Sequence, residues 1–266
     1  MKIGVSGKGG TGKTTFVSLL ARAFSSQGKS VLAVDADPAL NLGMSLGFPK
    51  EAYQRITPIA ELKELISERT ETQPGVPAAF FKLNPKVDDI PERYWAEHQG
   101  VKLLVVGTIM VGGEGCACPE NTLLKNLMRH LIIERDEVVI LDMEAGLEHL
   151  GRGTVEAMDA LIVMVEPGQK SLALAKRIEA LARDIGIGKV LFVGNKIQSE
   201  DDRKTVLAGL VNEQVLGLID YDEGLRQADL LGKSVHEFAS PQTLNSIQEI
   251  KENLEILAFP SLEGRG

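Results

Sequence analysis

The glycine-rich segment SGKGGTGKTT, Ser6 to Thr15, constrains the fold most strongly because it directly follows a short apolar run. Such a turn, placed between a strand and a helix, lets backbone N–H groups approach a phosphate. Two motifs fit it. Gly7 to Gly12 matches G-x-G-x-x-G, which is typical of dinucleotide-binding folds in which an acid such as Asp35 binds the ribose. Gly7 to Thr14 matches G-x-x-x-x-G-K-[ST], the phosphate-binding loop of P-loop proteins.

The pair Lys13 and Thr14 favours the second motif, because a dinucleotide-binding loop has no use for these residues. In a P-loop the lysine neutralises the β- and γ-phosphates, and the hydroxyl holds Mg²⁺. Lys8 cannot easily fold back beside Lys13, but it could reach the phosphates of a second chain across a dimer interface. The predicted ATP- or ADP-binding residues of the loop are Gly7, Lys8, Gly9, Gly10, Thr11, Gly12, Lys13, Thr14 and Thr15.

Short apolar runs alternate with helical patterns along the chain, which predicts βαβ units and a mostly parallel sheet with helices on both faces. We therefore expect one α/β P-loop NTPase domain over residues 1–266. The predicted strands are Lys2–Ser6, Val31–Ala36, Lys102–Gly107, Val138–Met143, Ala160–Glu166, Val190–Asn195 and Val215–Ile219. The predicted helices are Lys13–Ser26, Pro119–Glu134, Lys170–Asp184, Asp201–Leu210, Asp222–Leu231 and Leu244–Leu257. Residues 48–100 are the least regular, and we expect helix and loop there.

Carboxylates stand at the ends of two predicted strands, where the carboxyl edge of a parallel sheet meets the phosphate crevice. The sequence DADPALN places Asp35 and Asp37 after the second strand, and ILDMEAG places Asp142 at the end of a later one. Asp142 suits the outer shell of Mg²⁺, and Asp37 is the candidate for orienting the attacking water. Thr14, Asp37 and Asp142 are thus the predicted Mg²⁺ site, and Asp35 is expected only to hold the loop.

The overall charge argues against nucleic acid and membranes as partners. The chain carries a formal net charge of −8, and no local basic patch is evident to overcome the resulting repulsion of polyanions. No apolar run approaches the roughly 20 residues that a membrane span needs. We therefore expect a cytoplasmic protein without a nucleic-acid or membrane partner.

The two cysteines, Cys116 and Cys118, lie one residue apart in GEGCACPE. Pro119 favours a helix start immediately after them, and the positive end of a helix dipole lowers a thiol pKa. A strained disulfide or two inert thiols are alternatives, but a metal site is favoured because thiolates in a reducing compartment bind soft divalent ions. Two chains related by a twofold axis offer the four ligands that Zn²⁺ or Ni²⁺ accepts.

The motifs KGGTGKTT, DADPALN and DMEAG resemble those of the deviant Walker A ATPases. That group includes the nitrogenase iron protein, cell-division-site ATPases, plasmid-partition ATPases and metal-centre assembly factors. The resemblance implies that Lys8 is the signature lysine of an ATP-sandwich homodimer, with catalysis by Lys8, Lys13, Asp37 and Asp142. It also implies that Asn195, in the sequence VGNKI, recognises adenine together with a loop near residues 220–222.

A narrower resemblance rests on CACPEN together with DMEAGLEHLGRG, residues 142–153. These segments are similar to the accessory ATPases that mature nickel carbon monoxide dehydrogenase. The resemblance implies ATP-dependent insertion of nickel into that enzyme's metal cluster, with the apo-dehydrogenase as the client. Two alternatives stay open at this point: an iron–sulfur cluster scaffold ATPase, and a nucleotide switch that does not hydrolyse ATP and whose cysteine pair is incidental.

Overall fold

The structure is a computed structural model that describes residues 1–37, 39–72, 80–107, 119–143, 157–211 and 214–258. Eight strands within these residues form one sheet in the order β3-β4-β2-β5-β1-β6-β7-β8. The strands are β1 (Lys2–Gly7), β2 (Val31–Ala36), β3 (Ala96–His98), β4 (Val101–Val105), β5 (Val138–Met143), β6 (Ala160–Val165), β7 (Val190–Ile197) and β8 (Val215–Asp220). All neighbouring pairs are parallel except β3 with β4.

Helices cover both faces of this sheet, as the sequence predicts. The described helices are α1 (Lys13–Ser25), α2 (Leu42–Ser45), α3 (Lys50–Tyr53), α4 (Lys63–Thr70), α5 (Ile90–Tyr94), α6 (Pro119–Ile133), α7 (Gln169–Asp184), α8 (Glu200–Gly209), α9 (Glu223–Leu231), α10 (Val235–Phe238) and α11 (Pro241–Ala258). A one-turn 3₁₀ helix spans Ile59–Glu61. No helix in the described part of the chain is both long and apolar enough to cross a membrane.

Two apolar cores lie on opposite faces of the sheet, because the central strands are buried on both sides and consist largely of Val, Ile and Leu. One core packs α4, α6 and α7 against the sheet, and the other packs α1 and α11. In the central strands β1, β5 and β6 every residue is buried. The carboxyl end of β1 is thereby fixed between β5 and β6. The loop that follows β1 therefore begins at a rigid strand end.

The sequence prediction was wrong about residues 48–100 in one respect, because that segment also supplies a strand. β3 runs antiparallel to β4 and forms the sheet edge. A three-residue edge strand carries too little alternation of apolar and polar residues to be distinguished from a loop. The prediction of β4 was two residues too long, since the strand ends at Val105 and Gly107 has a φ of 80°. The short helices α2 and α10 were not predicted.

Candidate functional site

The loop between β1 and α1 depends on glycines at the positions where the backbone takes a positive φ. Gly10 has a φ of 83°, and Gly12, the N-cap of α1, has a φ of 88°. A side chain is strained in this region, whereas glycine enters it freely. At Gly12 there is also no room, since an added Cβ would lie 2.4 Å from the side-chain nitrogen of Asn195. The loop conformation therefore requires glycine at Gly12, which the P-loop motif contains, and also at Gly10, which it does not specify.

Three carbonyl groups of the loop accept hydrogen bonds, one from within the loop and two from the end of β7. The backbone N–H and the hydroxyl of Thr11 donate to the carbonyl oxygen of Lys8, the hydroxyl at 2.8 Å. The Asn195 amide donates to the carbonyl of Thr11 at 2.8 Å, and the Lys196 ammonium donates to that of Gly10 at 2.5 Å. These bonds draw negative carbonyl oxygens outward, which suits a loop whose inner side faces a phosphate.

Lys13 begins α1, although a helix dipole disfavours a cation at the N-terminus. The first turn of α1 holds no acidic residue that would compensate it, and Lys13 is 7% exposed. A buried lysine placed against the dipole is unfavourable unless an anion joins it. The beginning of α1 is therefore built for a phosphate group rather than for the stability of the empty chain.

Asp142, at the carboxyl end of β5, is fully buried at 0% exposure. Within the described residues neither of its carboxylate oxygens has a hydrogen bond of normal geometry. Burial raises the pKa of Asp142 to about 7, and the negative charge of Asp35 acts in the same direction, while Thr14 and Lys13 lie near enough to lower it. An orphaned buried carboxylate beside a threonine hydroxyl fits a hydrated Mg²⁺ ion, which would supply both positive charge and donors.

Asp35 is the neighbour of Asp142 on β2, in register across the parallel pair. Its carboxylate accepts hydrogen bonds from the N–H of Asp37 at 3.3 Å and of Leu42 at 3.1 Å, and from the Tyr53 hydroxyl at 3.4 Å. Burial raises the pKa of Asp35 to about 6. Asp35 thus ties down both ends of the loop that carries Asp37, as the sequence led us to expect.

Tyr53 completes this support. Its single hydroxyl proton is shared between Asp35 and the carbonyl of Leu40, whose φ of 46° is unusual for a residue with a Cβ. Its ring packs so closely on Gly43 that an added Cβ there would lie 2.2 Å from it. Tyr53 therefore helps to hold Leu40 in its strained backbone conformation.

We expect Tyr53→Phe to lower the free energy of unfolding by about 1–2 kcal/mol, because it leaves the acceptors at Asp35 and Leu40 without this donor. Urea denaturation at pH 8 measures the effect. Tyr221→Phe is the matched control, because it removes a hydroxyl that, among the described residues, bonds only the exposed Glu223, at 2.9 Å, and we expect a change below about 0.5 kcal/mol. Equal losses in the two variants would contradict the supporting role of Tyr53.

A cleft of about 750 Å³ opens between the loop that joins β1 to α1 and the end of β8. It brings together most of the residues predicted for nucleotide binding. The predicted residues that line it are Gly7, Gly9, Gly10, Gly12, Lys13, Thr14, Thr15, Asp37 and Asn195. Lys8 is exposed, and Thr11 is buried with its hydroxyl bonded to the Lys8 carbonyl. Asp142 lies buried at the strand end nearby.

The far end of the cleft is formed by Asp220, Tyr221 and α9. Asp222 is committed to structure there: its carboxylate accepts bonds from Gly224 N–H and Ser240 N–H, both at 2.8 Å, and from the Thr243 hydroxyl at 2.7 Å. Burial acts to raise the pKa of Asp222, but these hydrogen bonds outweigh it and the pKa is lowered. The end of β8 is consequently held rigidly where the sequence predicts the adenine loop.

The predicted metal ligands Cys116 and Cys118 lie outside the described residues. Among the residues that are described, no group of three or more His, Cys, Asp or Glu side chains could hold a metal ion. The metal prediction therefore still depends on the sequence.

Sequence reasoning did not single out three residues that contribute to the site. Tyr53 lies in the irregular segment and has no motif around it. Lys196 directly follows the predicted site residue Asn195, and this position could have indicated that Lys196 lies near the site. Its left-handed backbone, with a φ of 59°, cannot be predicted from the sequence. Glu166 directly follows β6 and pairs with Lys196 at 2.7 Å.

Comparisons with known proteins agree with this geometry. The family model described as the CobQ/CobB/MinD/ParA nucleotide binding domain matches residues 3–235. The carbon monoxide dehydrogenase accessory protein CooC of Rhodospirillum rubrum is 45% identical over 239 residues, which are 90% of each chain. An uncharacterized ATP-binding protein of Methanocaldococcus jannaschii, MJ0823, is 44% identical over 240 residues, 89% of this chain and 91% of that one.

Solved structures of other proteins have a similar fold. The crystal structure of a ParA family ATPase from Chlorobium tepidum covers 94% of this chain and 97% of its own, with a TM-score of 0.66 and 18% identity. At that identity the likeness concerns the fold alone. It confirms the predicted mostly parallel α/β architecture.

Proposed function

The chain belongs to the CobQ/CobB/MinD/ParA family of nucleotide-binding domains, and from this premise we propose that it is a homodimeric ATPase that inserts nickel into carbon monoxide dehydrogenase. The observation that carries the proposal is the 45% identity with CooC of Rhodospirillum rubrum over 90% of both chains. The paired cysteines agree with it, since a pair of thiolates can bind a borderline divalent ion such as Ni²⁺ or Zn²⁺.

The described residues supply the parts that phosphoryl transfer needs. The N–H groups of the loop and of the first turn of α1 bind the phosphates, and Lys13 neutralises the β- and γ-oxygens. Thr14, Asp37 and Asp142 would hold Mg²⁺, which supplies positive charge against the charge that develops on the phosphates. Asp37, positioned by Asp35 and Tyr53, orients the attacking water.

In this proposal, dimerisation couples ATP hydrolysis to the binding and release of the metal ion. The exposed Lys8 reaches the phosphates bound by the second copy, so that ATP favours a closed dimer. Cys116 and Cys118 of the two copies form one four-thiolate site for Zn²⁺ or Ni²⁺. If both events favour the same dimer, each must strengthen the other by the same factor, and hydrolysis then weakens the metal site at the moment of delivery.

We expect the double variant Cys116→Ser, Cys118→Ser to lose metal-linked dimerisation but to retain its affinity for ADP, because serine hydroxyls are poor ligands for soft divalent ions. Anaerobic native mass spectrometry with Ni²⁺ or Zn²⁺, in ADP and then in ATP, measures both properties. The wild-type chain should show one metal ion per two chains.

Two outcomes would contradict the proposal. A double variant that dimerises with metal as well as the wild type would remove the cysteines from the site. A wild-type chain that stays monomeric and metal-free in every nucleotide state would leave a nucleotide switch, and reconstitution of nickel-free carbon monoxide dehydrogenase would then show no dependence on the chain.

A further inference from the structure

Lys196 has an unusual, left-handed backbone conformation. It lies within β7 but has a φ of 59°, in the left-handed region that residues with a Cβ disfavour. The pairing of β7 with β8 is irregular between Gly194 and Ile197, around the same point. Strained backbone that persists in a well-packed strand is usually held there for a function.

The distortion allows two successive side chains to reach the same target. In a regular strand, neighbouring side chains point to opposite faces of the sheet. Here Asn195 donates to the carbonyl of Thr11 and Lys196 donates to the carbonyl of Gly10, so both contact the phosphate-binding loop. The left-handed residue thus gives the loop a second tether from the end of β7.

Glu166 forms an ion pair with the side chain of Lys196. Its carboxylate lies 2.7 Å from the lysine ammonium, its N–H donates to the Ser171 hydroxyl at 3.0 Å, and its carbonyl accepts the N–H of Gly168 at 2.7 Å. Glu166 is therefore a rigid anchor directly after β6. Its negative charge also helps to hold the lysine ammonium at the Gly10 carbonyl.

We propose that Lys196 and Glu166 form a clip that holds the phosphate-binding loop in its binding conformation, which makes Lys196 a positioning residue for the phosphates of the nucleotide. Pulling the carbonyl of Gly10 outward turns the adjoining N–H groups toward the anion, so the loop is ordered before the nucleotide arrives. The inference rests on the proposed function only in requiring nucleotide at this loop.

The clip predicts that Lys196→Met lowers the affinity for ADP and for inorganic tripolyphosphate by the same factor, about 10-fold, because a less ordered loop must be organised on binding. Isothermal titration calorimetry with Mg²⁺ measures both ligands. A lysine that contacted the base or ribose directly would weaken ADP binding alone, and that result would overturn the clip.

Two further variants exclude a general loss of structure. Lys196→Arg keeps a cation and its donors and is expected to bind ADP within about 3-fold of the wild type. Lys189→Met removes a lysine that donates to the carbonyls of Leu257 at 2.5 Å and Ala258 at 3.0 Å, away from the loop. It should leave both affinities unchanged, and an equal loss in Lys189→Met would overturn the inference.

The role of Glu166 is tested by a double-mutant cycle. If the clip acts as a unit, Lys196→Met should weaken binding less in a Glu166→Gln background than in the wild type, and fully additive effects would contradict it. A wild-type chain that binds neither ADP nor tripolyphosphate would overturn the ATPase proposal and the clip together. Normal binding by the wild type with unchanged affinity in Lys196→Met would overturn the clip alone.

Discussion

Asp142→Asn is expected to reduce the kcat for ATP hydrolysis by about 100-fold or more, because it removes the negative charge that a Mg²⁺ ion at the phosphates requires. The carboxylate is completely buried, and it has no hydrogen bond of normal geometry from any described residue. An arrangement of this kind is unfavourable in the empty chain. It becomes favourable only when a cation with its bound waters joins it.

The same substitution should therefore stabilise the chain without metal and nucleotide. The pKa of Asp142 is raised from 3.8 to about 7, chiefly by burial. Between those pH values the folded chain keeps a proton that the unfolded chain releases, so stability falls as the pH rises through that window. The penalty is complete above about pH 7 and absent near pH 4, and asparagine, which carries no charge, does not suffer it.

Urea denaturation in EDTA should consequently show Asp142→Asn to be more stable than the wild type by at least about 1 kcal/mol at pH 8, and by less at pH 5. Asp201→Asn is the control, because the Asp201 side chain is 95% exposed and its replacement should alter neither stability nor turnover. Wild-type turnover in Asp142→Asn would remove this residue from the catalytic site. A loss of turnover accompanied by a loss of stability would show that Asp142 is structural.

Local chemistry explains which parts of this molecule the sequence predicts well. The loop from Gly7 to Thr15, the buried strands and the positions of Asp37 and Asp142 depend on short segments whose residue types leave few alternatives. Buried parallel strands are runs of Val, Ile and Leu, and the carboxyl ends of such strands meet at one edge. The position of the site at this edge of the sheet could therefore be predicted from the sequence.

The supporting residues were not predictable in this way, since their positions depend on tertiary contacts. Tyr53 reaches Asp35 from the irregular segment, and only the packing of α2 and α3 brings the two together. Lys196 depends on a left-handed backbone that a residue with a Cβ normally avoids. Asp222 lies where the sequence resemblance predicts an adenine loop, yet its carboxylate accepts hydrogen bonds from Gly224, Ser240 and Thr243.

Gly12→Ala is expected to weaken ADP binding by about 100-fold, because two separate costs act on the same loop. A φ of 88° is strained for alanine by about 1–2 kcal/mol. The new Cβ would also meet the Asn195 side-chain nitrogen at 2.4 Å, so Asn195 must move and release the carbonyl of Thr11. Losing a buried hydrogen bond of this kind costs roughly a further 1 kcal/mol.

Alanine substitutions at two other glycines of the loop separate the cost of backbone strain from the cost of the lost hydrogen bond. Gly10 has a φ of 83°, but an added Cβ would meet nothing within 4 Å, so Gly10→Ala should show the strain alone, about 10-fold in affinity. Gly9 is also open, and it does not require a positive φ, so Gly9→Ala should stay within about 2-fold of the wild type. Circular dichroism establishes that all three variants are folded before calorimetry with ADP.

The order of the three affinities tests how the loop is held. Equal losses in Gly10→Ala and Gly12→Ala would mean that backbone strain accounts for both, and that the contact between Asn195 and Thr11 contributes little to binding. A larger loss in Gly12→Ala means that the end of β7 holds the loop in place. In that case Asn195, on a strand that supplies no phosphate ligand, affects how tightly the chain binds phosphate, because its contact with Thr11 orders the loop from the sheet beneath it.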